Sequence, residues 1–526
     1  MPSEQRLHPA SLLFAFARSL KAFVVPYLLV LFTASRSSTP PINFGPPQMR
    51  DGNWEAWAML LLIPSALAAI ARYLSFHLRY EATELVIRSG IIFRNERHVP
   101  YARIQNLDAV QNVFHRLLGV IEVRVETGGG KAPEATISVI PARAFEDMRR
   151  RVFEGRRPPP PAAGETVAER PSSAAIEEAT ILHLPLRELI LYGWLENRGL
   201  FVMTATIGLL WQFDLLDSIG NRVFGDGTFG RSVARDVFVA MVSGTRLPLG
   251  ELLLVVGVVV GVVAAVQVIS IGWAIVRLHD FRLTRIGEDL RTQFGLLTRV
   301  TSTIPLRRIQ TMTIREGPLE RLVHRVSVRV ETAGGGEEGG RHKEREWLAP
   351  IIRRGELPRL VRQVLPELDL ATVEWHGAHP RAFRRVAKRA VLMAIFISAV
   401  SIMPLEGWIS SGHWALGVLI VALPWNLLAA HRYVHHLGWA SSDDLVLFRS
   451  GWLWRNLTVA RTAKVQAVTL VESPFDRRTA MGRVRVDTAG AGDRSHRVDI
   501  PYLPREVAQG LYQRLATRAA GTAFRW

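Results

Sequence analysis

Four polar side chains recur at matching positions three times along this 526-residue chain, and they are its candidates for chemistry. They are a glutamine (Gln105, Gln310, Gln466), an arginine (Arg116, Arg321, Arg477), a second arginine (Arg124, Arg329, Arg485) and a threonine (Thr127, Thr332, Thr488). A carboxylate stands between the last two in every copy (Glu126, Glu331, Asp487), and a further cation precedes the glutamine (Arg103, Arg308, Lys464). Two readings are open. In the first, these groups form a hydrogen-bonded network that fixes strand register, because buried polar groups must be paired. In the second, Arg103, Arg116, Arg124 and their counterparts present guanidinium forks to lipid phosphate or to the carboxylates of a partner.

Other constellations are weaker. His431 and His435 stand four apart, a spacing that metal ligands use, but no carboxylate is near in sequence, and they read as interfacial histidines. His376 and His379 read the same way. The glycine-rich stretches at 128–131, 333–340 and 489–492 lack the Lys-Ser/Thr of a phosphate loop, and Glu337 and Glu338 would repel phosphate. They read as hairpin tips. No nucleophile elbow, zinc-protease or dinucleotide signature occurs, and with no cysteine there is no disulfide, thiolate or iron–sulfur chemistry. No catalytic residue, metal or cofactor is expected, and the chain reads as non-enzymatic.

The elements that must hold these residues repeat with them. Windows 90–127, 295–332 and 451–488 align without a gap, each from a shared glycine (Gly90, Gly295, Gly451) to RVET or RVDT. A strand-like stretch precedes each glycine, and large apolar residues follow it, which suits a hairpin turn. The segments IEVRVET, VSVRVET and GRVRVDT alternate with period two, so Val123 and Val125 face a core while Arg124 and Glu126 face away. A further strand and an amphipathic helix close each copy. The expected fold class is α+β, several short strands and one C-terminal helix plugging a curled sheet. The third copy departs: Lys464-Val465 replaces Arg-Ile, Ala460 replaces proline, and one residue is inserted before Gly451.

Apolar residues make up 48% of the chain and charged residues 21%, so the two are segregated along it. Leu252–Ile275 is uncharged and long enough for a bilayer core of about 30 Å. Gly199–Leu216 is a second candidate, and Leu20–Ala34, Ala56–Ile70, Ala390–Pro404 and Trp414–Ala430 are shorter ones. They fall in pairs, one before each repeat. Gly257 and Gly261 in the strongest segment suit a close-packed helix interface. Arg381, Arg384, Arg385, Lys388 and Arg389 precede the fifth segment, while the turn after it holds no basic residue, which places both termini and the repeats in the cytoplasm. The net charge of +18 suits an anionic partner. No aromatic-interleaved basic patch accompanies it, so a membrane surface is expected and nucleic acid is not.

The strand, glycine and apolar run, then RIQ, then RVET, three times behind paired apolar segments, resembles the bacterial pleckstrin-homology-like domain family of YdbS/YdbT-type membrane proteins in its three-copy layout. The resemblance implies three PH-like β-sandwich or barrel domains, each capped by a helix, each preceded by a transmembrane helical hairpin, at the bacterial inner membrane. It also implies protein partners, including a smaller single-domain membrane relative, and no established catalytic site. The domains are expected at 77–155, 279–368 and 436–516. A first hairpin at 1–76, a Pro-rich linker at 156–180, an interfacial helix with a hairpin at 181–278, a third hairpin at 369–435 and a tail at 517–526 complete the chain. The expected function is a scaffold for protein partners or anionic lipid headgroups. The alternative is a transporter or envelope-defence component, with its pathway between the hairpins.

Overall fold

The computed structural model describes residues 4–6, 8–14, 70, 73–81, 83–90, 94–101, 104–127, 135–154, 178–196, 249–332, 347–402, 413–488 and 498–521. The first two apolar segments, Gly199–Leu216, the linker at 156–175, the glycine-rich tips and Arg103 lie outside those residues, apart from Ile70. The chain divides into two compact units, one of residues 1–175 with 297–303, the other of 176–296 with 304–526.

In the first unit, β1 (Glu4–Arg6), β2 (His77–Tyr80), β3 (Glu84–Ser89) and β4 (Asn95–Pro100) form an antiparallel sheet in that order. A second sheet holds β5 (Ile104–Asn112), β6 (Val120–Thr127) and β7 (Ala135–Pro141), with helix α1 (Val113–Leu117) between the first two and α2 (Ala142–Glu154) after the last. Strand alternation sends Leu78, Tyr80, Leu85 and Ile87 from one sheet against Leu107, Val123, Val125 and Ile137 from the other. Phe145, Met148 and Val152 of α2 close the end of this core. Val123 and Val125 are fully buried, as the alternation requires. The edge of β5 is not left open, because residues 298–301 pair with it antiparallel, Thr298 opposite Asn112 and Thr301 opposite Ala109.

The second unit begins with β8 (Glu178–His183) and α3 (Leu186–Leu195). The sequence suggests an interfacial helix over 181–199. Residues 181–183 instead end strand β8, which pairs with the segment after the next helix, and the helix begins at Leu186 after Pro185. Helix α4 (Leu249–Leu278) leads into β9 (Arg282–Ile286), β10 (Asp289–Phe294) and β11 (Thr298–Pro305). There follow β12 (Ile309–Glu316), α5 (Pro318–Leu322), β13 (Arg325–Thr332), β14 (Trp347–Arg353) and α6 (Leu357–Val364). After β15 (His376–Gly377) come the helices α7 (Ala382–Ile402) and α8 (His413–His436). These run longer than their apolar cores suggest, because Arg384, Arg385, Lys388 and Arg389 are helical too. The last repeat is β16 (Gly438–Ser441), β17 (Leu445–Ser450), β18 (Arg455–Arg461), β19 (Val465–Val471), α9 (Pro474–Arg478), β20 (Met481–Thr488), β21 (Val498–Pro504) and α10 (Arg505–Gly521). Helix α10 passes the expected boundary at 516, since Leu515 is buried and Ala519 packs on the core.

Among the described residues two helices, over Val260–Leu278 and Leu416–His436, are long and apolar enough to cross a membrane. Helices α7 and α8 lie together as a pair. Helix α3 crosses α4 closely: Ser270 donates to the Gly193 carbonyl at 2.7 Å, and a Cβ on Gly193 would press on Ile271 and Ala274.

Candidate functional site: repeat junctions and the recurring polar residues

Each recurring residue can be traced from its strand. The glutamine marks a backbone irregularity. Pairing of the first and second strands of the sheet shifts between Ile104 and Asn106, between Ile309 and Thr311, and between Val465 and Ala467. Gln105, Gln310 and Gln466 are therefore the extra residue of a β-bulge in every copy, a feature that re-aims a strand and increases its twist. Gln310 is buried and donates to the Arg308 carbonyl at 3.2 Å. The shared glycine adopts positive φ in every copy, 99° at Gly90, 111° at Gly295 and 90° at Gly451. At Gly451 a Cβ would also meet the Trp454 carbonyl.

The second arginine is held three different ways. Arg124 donates Nε and Nη2 to Glu122 on its own strand, at 3.2 and 3.1 Å. Arg329 lies 3.8 Å over the Trp347 ring, a cation–π contact. Arg485 is 3.8 Å from Asp499, which Arg483 also approaches at 3.2 Å. The carboxylate Glu331 accepts from Thr311 at 3.1 Å. These are local pairings suited to neighbours that differ between copies.

The first arginine does something else. Arg321, on α5 of the second repeat, donates Nη2 to the carbonyls of Trp452 and Leu453 in the third, at 3.1 and 2.9 Å. It clamps the turn after Gly451. Beside it β12 and β18 pair antiparallel from Thr311–Ala460 to Glu316–Arg455. The two repeats therefore share one seven-stranded sheet, ordered β14-β13-β12-β18-β17-β16-β15. Glu316 anchors the junction end, 3.8 Å from Arg455 and 3.3 Å from Arg354. The pairing of Arg299 with Gln111 in the first unit has the same register as Arg455 with Glu316 once repeats are aligned. Arg116 is exposed at the end of α1, and Arg477 is exposed on α9.

Lys464 stands half-buried in a cluster of cations. Burial first, then the guanidinium groups of Arg461, Arg308 and Arg307, push its ammonium pKa down. Arg461 is bonded to Glu367 at 2.8 Å and to the Leu306 and Val364 carbonyls. Gly257 and Gly261 have no described atom within 4 Å of where a Cβ would stand, and the close helix approach occurs at Gly193. Among the described residues no group of three or more His, Asp or Glu could hold a metal. A buried bidentate ion pair, Arg325 with Glu188 at 2.9 and 3.0 Å, ties α3 to β13.

The bacterial PH domain model matches residues 18–156, 237–367 and 390–519. The chain belongs to the bacterial PH domain family. Among curated proteins, it is similar to the transmembrane protein YdbT of Bacillus subtilis (strain 168), 22% identical over 505 residues, covering 94% of each chain. No solved structure matches. Three bacterial PH domains thus account for the triplicated motif, and the recurring glycine, bulge glutamine and buried valines are features of that domain's fold here. Sequence reasoning named Arg321 but not its partner. The signal was present as three identical arginines on the short helix, yet the acceptors are main-chain carbonyls of another repeat and carry no side-chain signature.

Proposed function

We propose that this chain is a non-enzymatic integral membrane protein that displays three bacterial PH domains on the cytoplasmic face as a scaffold for protein partners. One observation carries this reading: the second and third domains join sheet edge to sheet edge under an arginine clamp, so the repeated unit is built to bind its own kind of surface. The membrane placement has its own support. Helix α4 ends at Leu278 with β9 starting at Arg282, and α8 ends at His436 with β16 starting at Gly438, which leaves each domain no reach away from the helix end. The turn after Gly295 is pinned to α4, where the Leu296 N–H donates to the Val276 carbonyl at 2.9 Å. The turn after Gly451 packs Trp452 on Trp425 of α8, ring centres 5.7 Å apart. Leu297 and Trp454 beside these contacts are exposed, which suits apolar turns entering the headgroup layer. The basic flank of α7 faces the cytoplasm by the positive-inside rule.

A second reading, anionic lipid, is favoured by one place alone. Arg307, Arg308 and Arg461 gather around Lys464, with Glu367 bonded to Arg461, and the depressed Lys464 ammonium would gain from a phosphate oxygen. Two polar groups in the helices, Ser270 and Asn426, support anchoring more than a pathway, since both are bonded to backbone carbonyls. Gentle extraction followed by native mass spectrometry tests both readings. The expected result is a protein partner that survives purification; phosphate-bearing lipid lost on Lys464→Gln would establish the second reading, and recovery of neither would defeat the scaffold.

A further inference from the structure

Within the chain the same strand pairing is made twice, and at the second of these seams Arg321 adds its clamp. The strand after the shared glycine of one repeat lies along the first strand of the preceding repeat's second sheet, at residues 298–301 on β5 and at β18 on β12. Among the described residues the last such strand, β19, pairs with β20 alone, in a three-stranded sheet ordered β19-β20-β21. At the other end of the series β4 is also an edge, paired to β3 alone in the sheet β1-β2-β3-β4. Among the described residues, one acceptor edge and one donor edge of this pairing remain.

The β19 edge is not disguised. Residues 465–471, VQAVTLV, contain no charge and no proline, two of the devices that protect an edge strand, and the bulge at Gln466 is one that β5 and β12 carry while still pairing. In β12 every position except Arg315 is buried, whereas in β19 Gln466, Ala467, Thr469 and Val471 are exposed. The clamp stands ready as well. Arg477 is the counterpart of Arg321, it is exposed, and no described acceptor lies at its guanidinium. Glu472, the counterpart of Glu316, is held 3.2 Å from Arg505 as Glu316 is held by Arg354, but no described residue stands in the place of Arg455.

We propose that β19 with Arg477 is the docking edge for β4 of a second copy of this chain, so that chains join head to tail by repeating their internal junction. This rests on the scaffold reading and names one partner for it. Carrying the β12–β18 register over places Val99 opposite Ala467, Arg97 opposite Thr469, Asn95 opposite Val471 and Arg94 opposite Glu472. The charged strand NERHVP meets an uncharged one, so no like charges oppose, and Arg94 fills the vacant place at Glu472. The residue that follows this glutamate position is Asn112 in the first junction, at Gln111, and Gly317 in the second, so Ser473 introduces no larger side chain. The contact is heterologous and either closes into a ring or propagates along the membrane.

The chain has no cysteine, which makes the test direct. Full-length Arg97→Cys and Thr469→Cys proteins with different tags are co-expressed, and the membranes are oxidised. A doubly tagged cross-linked species is expected, with a ladder or a single closed oligomer when both substitutions are in one chain. The pair Thr313→Cys and Thr458→Cys, opposed within one chain, serves as the positive control. Adding Arg477→Ala should cut the interchain product several-fold and leave the intrachain one unchanged. Full intrachain linkage with no interchain product overturns the proposal, as does exclusive linkage of Thr469→Cys to a different protein, and the latter would leave the scaffold reading standing.

Discussion

At the scale of single residues, the repeats show which polar groups serve geometry. Positions 119, 324 and 480 are equivalent, and all take left-handed backbone, φ 65° at Gly119 and 53° at His324 and Ala480. A non-glycine residue there carries a cost of about 1–2 kcal/mol. Ala480→Gly is therefore expected to raise the stability of the third domain by about 1 kcal/mol, read from its denaturation midpoint. Lys464 gives a pH-dependent counterpart. Its folded pKa lies below the ordinary 10.5, so the unfolded chain binds more protons between the two values. Stability should rise as pH increases through that window and be lacking below it. Lys464→Gln should be more stable at neutral pH and flat through that alkaline window; equal slopes in both proteins would remove the cation cluster from consideration.

At the scale of elements, the decisive feature is strand pairing between repeats. The β12–β18 ladder buries backbone groups that an isolated domain would leave at an edge, and Arg321 adds two charge-assisted bonds across the same seam. Hydrogen bonds of that kind contribute about 1.5–3 kcal/mol each, against under about 1 kcal/mol for an exposed pair such as Arg88 with Glu96. Arg321→Ala should therefore destabilise the second and third repeats by about 3 kcal/mol, the low end for two such bonds from one nitrogen, whereas Arg88→Ala should be nearly neutral. Chemical denaturation of the detergent-solubilised chain separates the two. A null effect of Arg321→Ala would mean that the turn after Gly451 is held by its tryptophans alone.

At the scale of the whole molecule, two compact units imply two responses to damage. The Glu188–Arg325 pair sits wholly in the second unit, with the side chains 10% and 16% exposed. Glu188→Gln leaves a guanidinium poorly compensated near the core, at a cost of about 3 kcal/mol. Hydrogen exchange should quicken in β12 to β14 and stay unchanged in β5 to β7. Equal loss of protection in both would show that the chain unfolds as one cooperative body.

The repeat unit is legible in the residues alone. Three alignable windows, strand alternation around Val123 and Val125, and the positive-φ glycines Gly90, Gly295 and Gly451 are consequences of local sterics and hydrophobic period, which any stretch of chain displays. The sequence named the arginines too, and the family resemblance supplied the domain type. What it could not supply was their assignment. Arg124, Arg329 and Arg485 are one residue type in one strand position, yet each partner (Glu122, Trp347 or Asp499) is set by tertiary neighbours. The join between repeats was likewise invisible, because a ladder is made by main-chain groups that every residue carries, and Arg321 reaches carbonyls that have no letter in the sequence. Pairing partner and register are global choices among many equivalent backbone edges, and only the folded molecule makes them.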